Sequence, residues 1–170
     1  MEQRRVLDAA AGFGGVERAR RQGPEWLRAE VAVAGIRGRG GAAFPLWTKW
    51  DAALTQPGPR VVVVNGAEDE PGSLKDRYLL ATRPEIVLDG ALCTAMALGA
   101  DRIVLYINEE ADGPLRSAAA AVDRASAAGL CTVAPTRPSN GATGETADPA
   151  AHAGETAAPP PRAGDNVVAA

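Results

Sequence analysis

Apolar and polar positions divide the chain into three zones. Residues 1–23 mix Arg, Ala and Gly without a period, which predicts a loosely ordered N-terminal segment. "PEWLRAEVAVAGI" comes next, with Pro24 in a first turn, Gly35 at the far end, and Trp26, Leu27, Val31 and Val33 available to a core, as in a helix. "RVVVVNG" sets four valines between Pro-Gly-Pro and Asn-Gly, the mark of a short strand buried on both faces. "EDEPGSLKDRYLL" is a polar loop ending in a short apolar turn. "TRPEIVLDGALCTAMALGA" shows a capping-box pattern, with Thr82 as N-cap, Pro84 in the first turn, Glu85 three residues on and Gly99 as the stop. Its apolar residues lie on nearly every side, which predicts a buried helix.

"DRIVLYINEE" predicts a second buried strand, Ile103–Ile107. "GPLRSAAAAVDRASAAGL" predicts an Ala-rich helix stopped by Gly129, and "LCTV" a third strand. This alternation makes 24–133 an α/β domain, a Rossmann-like parallel sheet layered with helices. From Ala134 the periodicity ends. Residues 134–170 hold six of the thirteen prolines, and "GATGETADPA" and "AHAGETAAPP" form an imperfect ten-residue repeat. Too little apolar surface is present to offset the entropy of ordering, so a low-complexity, disordered tail is expected.

Composition narrows the function classes. A net charge of −3 and the absence of a Lys/Arg block argue against a nucleic-acid binder. Cys93 and Cys131 show neither CxxC spacing nor a histidine cluster, so no disulfide framework, zinc site or iron–sulfur cluster is expected. The opening residues lack a signal-peptide pattern and no apolar run is long enough for a membrane span. The expectation is a cytoplasmic protein.

Two stretches carry candidate chemistry. "GIRGRGGAAFPLWTKW", Gly35–Trp50, places four glycines in its first seven residues. It matches neither G-x-G-x-x-G nor the Walker A pattern. Consecutive glycines let backbone N–H groups converge on phosphate oxygens, and Arg37, Arg39 and Lys49 add positive charge. Phe44, Trp47 and Trp50 offer faces for a planar ring. The alternative is a glycine-rich surface turn with solvated arginines and tryptophans in the core.

"NGAEDEPGSLKDR", Asn65–Arg77, directly follows the valine strand. Ligands of open α/β sheets bind beyond the carboxyl ends of strands, where Asn65 would sit. Its amide can bond a heterocycle edge. Glu68, Asp69 and Glu70 could accept from sugar hydroxyls or, as a like-charge cluster, shift a pKa for proton transfer. The alternative is a solvated acidic loop.

Together, in this order, the two stretches closely resemble the flavin-binding, NADH-oxidising subunit of respiratory complex I, the flavoprotein family of the NADH-quinone oxidoreductases. Its signature recurs in NAD-linked hydrogenases and formate dehydrogenases. The similarity spans about residues 26–133. It implies flavin mononucleotide (FMN) and NAD(H) as cofactors, and hydride transfer from NADH to FMN with onward electron transfer. By resemblance, Gly38, Arg39, Gly40 and Gly41 would line the FMN phosphate and ribityl chain, and Lys49 would hydrogen-bond the flavin. Asn65 and Glu68 would sit at the flavin, Glu70 would contact the nicotinamide nucleotide as the catalytic-site carboxylate, and Phe44 would stack on adenine.

The sequence also departs from the family pattern. Ala67 stands where the family has Asp, Ala43 where it has Gly, Leu46 and Trp47 where it has Thr-Gly, and Ala52 where a second adenine-stacking aromatic is expected. The family's G-E-E segment, ubiquitin-like domain and C-x-x-C-x-x-C cluster site have no clear counterpart; "AGETA" at Ala153–Ala157 only faintly echoes the first. The resemblance therefore implies a partial site, with a second polypeptide supplying the rest of the flavin pocket and the electron relay. The alternative is a non-catalytic nucleotide- or partner-binding relative, or a truncated remnant that keeps only the fold.

Overall fold

The computed structural model describes residues 11–38, 42–68, 70–108 and 110–133, and the backbone of 165–169. Its elements are α1 (Gly14–Gln22), α2 (Pro24–Val33), α3 (Leu46–Leu54), β1 (Val61–Asn65), α4 (Lys75–Thr82), α5 (Pro84–Leu98), β2 (Arg102–Asn108), α6 (Asp112–Ala127) and β3 (Asp165–Ala169). β1 and β2 pair in parallel, Val61 opposite Arg102 through Asn65 opposite Tyr106. A parallel pair needs a crossover, and α4 and α5 supply it. The α/β class and the parallel layering follow.

Ile103, Leu105 and Ile107 of β2 point into the main core, where they meet Leu80, Leu88, Leu92 and Val122 from α4, α5 and α6. Each such side chain stabilises by about 1.5–3 kcal/mol. A second cluster joins Ala19, Leu27, Val31, Trp50 and Ala97, with Cys93 packed against both. It fixes α2 and α3 on α5.

Several expectations are corrected. Within the 1–23 segment expected to be loose, Gly14–Gln22 is helical. Its first amides are capped across the fold by Asp89, which accepts from Gly15 N (2.8 Å) and Val16 N (2.7 Å). A Cβ at Gly15 would lie 2.5 Å from that carboxylate, so a side chain there would push Asp89 away from the two amides. Val33 is 88% exposed rather than in the core. Thr82 does not cap α5; it ends α4 and its hydroxyl donates to Tyr78 O, while Arg83 occupies the N-cap and Glu85 pairs with Arg124.

The valine strand is not buried on both faces: Val62 and Val64 pack on the core, whereas Val61 and Val63 are exposed, because the described helices that pack on β1 cover one face. β2 is the more buried strand: Ile103, Leu105 and Ile107 are buried, and Val104, Tyr106 and Asn108 on the other face are partly buried.

"LCTV" forms no strand. Leu130 is tied to α6 by its N–H to Ala125 O, and its carbonyl, like that of Gly129, accepts from Arg20. The third strand is β3, from within the segment expected to be tail. It pairs antiparallel with β2, Asn108 opposite Asp165, because β2 offers an open edge to a Val-Val segment of high β propensity. Residues 134–164 lie outside the described residues.

Arg60, just before β1, ties the fold together. Its guanidinium donates to Ala53 O (3.1 Å), Leu54 O (3.2 Å) and Gln56 O (3.1 Å) at the end of α3, and to Leu98 O (3.1 Å) at the end of α5. One planar fork thus ties together carbonyls at the C-terminal ends of two helices. The C-termini of α3 and α5 converge at the entrance of β1.

Candidate functional site

The glycine stretch is a small hairpin leading into α3. Leu46 N donates to Ile36 O and Gly38 N to Phe44 O, both at 2.8 Å, and Arg37 bridges Pro45 antiparallel. These contacts fix the two ends of the loop; Arg39, Gly40 and Gly41 lie outside the described residues. Pro45, extended, ends the hairpin, and Leu46 begins the helix. Lys49, the fourth residue of α3, reaches back so that a Cβ at Gly38 would lie 3.3 Å from its Nζ and 3.6 Å from Phe44 O. Gly38 therefore leaves room for an ammonium above the backbone.

Ala43 adopts φ +43°, the left-handed region that disfavours a side chain. Glycine stands there in the signature, so this chain keeps the loop geometry at a conformational cost. Phe44 and Trp47 are 47% and 42% exposed, as faces for a planar ring would be, whereas Trp50 is in the core.

The second group stands at the carboxyl end of β1. Gly66 N donates to Tyr106 O (2.7 Å), carrying the sheet bonding one residue past Asn65. A Cβ at Gly66 would lie 2.4 Å from Leu80 Cδ1, so the chain turns tightly over the core here. Asn65 Oδ1 accepts from Ala67 N (3.1 Å) and the residue is exposed, leaving its amide NH2 at the surface. Glu70-Pro71-Gly72-Ser73 closes as a turn through Ser73 N to Glu70 O (3.0 Å), with Pro second and Gly72 at φ +82°, the requirements of type II. Glu70 is exposed at its first corner.

Glu68 behaves differently: its residue is only 6% exposed. Oε1 accepts from Ser73 Oγ and Lys75 Nζ (3.3 Å), and Oε2 from the backbone N–H of Asp76 (3.2 Å) and Arg77 (3.3 Å). Burial pushes its pKa up, but the combined donation of Ser73, Arg77, Asp76 and Lys75 outweighs burial and draws it from 4.5 to about 2. Lys75 also pairs with Asp76 (2.6 Å), and mainly this contact raises its own pKa. Sequence reasoning missed α3 and α4 as helices, and with them the capping role of Glu68: Leu74, the N-cap of α4, has no side chain to cap it.

The predicted site residues thus fall into two groups, each held within itself: Gly38, Phe44 and Lys49 on the hairpin and α3, and Asn65, Glu68 and Glu70 beyond β1. The thiols stand apart. Burial, then the Asp89 charge, raises Cys93 to about 11, and burial raises Cys131, so both are protonated at neutral pH. Among the described residues no helix is long and apolar enough to cross a membrane.

Comparison with known proteins agrees with the motif reading. A family model described as the Nuo51 FMN-binding domain matches residues 31–160. An NADH-quinone oxidoreductase subunit of Aquifex aeolicus is 37% identical over 99 residues, 58% of this chain and 23% of that protein. Its counterpart in Rhodobacter capsulatus is 37% identical over 110 residues, 64% of this chain and 26% of that protein. Among solved structures, an NAD+-reducing [NiFe]-hydrogenase in the H2-reduced state superposes with a TM-score of 0.65 at 36% identity, covering 72% of this chain and 22% of that one. The chain spans about a quarter of the length of these curated relatives. With the family model covering most of its length, this chain belongs to the Nuo51 FMN-binding domain family.

Proposed function

We propose that the chain is an FMN- and NADH-binding module of an NADH-oxidising flavoprotein, contributing one side of the flavin pocket. The observation that carries this reading is the ammonium of Lys49 over Gly38, at the mouth of a glycine hairpin. A backbone without Cβ atoms beside an exposed ammonium suits a phosphate or an electron-rich ring edge. The residues present fit FMN: Gly38, with Arg39, Gly40 and Gly41, would hold phosphate and ribityl oxygens, Lys49 the flavin, and Asn65 its heteroatom edge. Phe44 would stack on the adenine of NADH and Glu70 would face the nicotinamide nucleotide.

Bound FMN would supply the hydride-accepting chemistry; the protein supplies orientation and charge. Lys49 brings positive charge to the hairpin, Asn65 fixes the ring by hydrogen bonds, and exposed Glu70 is free to accept one from the nucleotide. A second reading, a nucleotide-binding relative without turnover, is favoured by Ala67, which leaves the flavin side of the acidic turn one carboxylate short of the signature.

Titration with FMN, followed by flavin fluorescence and visible absorption, tests the proposal. Saturable binding weakened about tenfold or more by Lys49→Ala is expected, the effect of losing one charge-assisted bond. No binding at high FMN concentration contradicts it. FMN binding without NADH-dependent reduction of an artificial acceptor selects the second reading.

A further inference from the structure

A carboxylate offers about four acceptor sites. All four of Glu68 are filled by its own chain: two donors on Oε1, Ser73 Oγ and Lys75 Nζ, and two on Oε2, the amides of Asp76 and Arg77. Its side chain is 1% exposed, so a ligand hydroxyl or ring N–H would have to displace a partner to reach it. The partners themselves are informative. Asp76 and Arg77 provide the second and third amides of α4, a helix with no local side-chain cap. Ser73 is the residue whose own N–H closes the turn on Glu70 O. Glu68 thus grips both ends of the segment 70–77: the turn through Ser73 and the helix through its first amides.

We infer that Glu68 is a positioning residue rather than a cofactor ligand: filled by four donors of its own chain, it clamps the acidic turn to α4 and so sets Glu70 for the nucleotide. This rests on the proposed function only in naming what Glu70 faces. Asn65 is ordered separately, by the bond from Ala67 N and by the sheet contact at Gly66. The clamp therefore acts on the Glu70 side of the turn. Glutamine in place of Glu68 keeps the shape but turns an NH2 toward donors, so at least one contact must open.

Two arms test this on the whole chain. In the ligand-free protein, hydrogen exchange of the Asp76 and Arg77 amides should accelerate about tenfold in Glu68→Gln, with β2 amides unchanged as the internal reference. In NADH titrations, Ser73→Ala, whose hydroxyl donates to Glu68, should weaken binding in the same direction as Glu68→Gln. Ser73→Thr should restore it, and the double variant should be no worse than Glu68→Gln alone. Should Glu68→Gln fail to fold, Ser73→Ala carries both arms. Unchanged exchange at Asp76 and Arg77 overturns the inference. So does a large loss of binding in Glu68→Gln with Ser73→Ala within twofold of the parent, the pattern of a direct ligand. If the parent binds no NADH, the proposed function fails, and the exchange arm alone decides whether Glu68 is the clamp.

Discussion

Arg60→Ala should destabilise the fold more than any other single exchange of a polar residue outside the acidic turn. The side chain makes four donations, three of them part-buried, to carbonyls at or just past two helix C-termini, of which Ala53 O also accepts from Gln56 N. Bonds from a charged donor contribute about 1.5–3 kcal/mol each, but water recovers much of that at carbonyls it can reach. Counting about 1 kcal/mol net for each part-buried bond, and a few tenths for the cation near each of two helix C-termini, gives a loss of about 3.5 kcal/mol. Against a typical total of about 5–15 kcal/mol this is a large fraction. Arg60→Lys keeps the charge but not the fork, and should lose about half as much. Urea unfolding followed by circular dichroism and by tryptophan fluorescence measures both variants. Because Arg60 ties α3 to α5, the two probes should move together. A loss below about 0.5 kcal/mol for Arg60→Ala, or equal losses for both variants, would refute the reasoning.

Other expectations follow from single contacts. The pKa of Glu68 is lowered on folding from 4.5 to about 2, so its contribution to stability is complete above 4.5 and lost as pH falls toward 2. The urea midpoint should decline across that window, and Glu68→Gln should flatten the decline. Ala43→Gly should stabilise by about 0.5–1 kcal/mol, the relief of a left-handed alanine less the entropy of glycine in the unfolded chain; a destabilised variant in thermal unfolding would contradict this. Asp89→Ala uncaps α1 at two amides and should lower stability by about 1–2 kcal/mol, with faster exchange at Gly15 and Val16.

The fold was legible wherever a signal is local. Pro24 opens α2, Gly99 and Gly129 take left-handed conformations beyond α5 and α6, and the valine and Ile-Val-Leu runs are parallel strands. What escaped depends on partners distant in sequence. α1 is capped by Asp89 from α5, and α4 by Glu68 from the preceding loop, so neither start carries its own signal. Thr82 has the form of a cap but bonds back to Tyr78. Four valines cannot reveal that only one face is covered, nor can "LCTV" reveal that a distant segment pairs with β2 in its place. At the site, the motifs pointed to two stretches, and the hairpin puts Lys49 beside Gly38. It could not show that the carboxylate of Glu68 is already occupied.

If the chain is an FMN-binding module, the glycine hairpin and the acidic turn must serve one ligand. Amide-resolved NMR of the chain titrated with FMN tests this most directly. Saturable shifts are predicted at Gly38, Phe44 and Lys49 and, with the same affinity, at Asn65 and Gly66. Shifts confined to one stretch, or two stretches saturating at different concentrations, would contradict it.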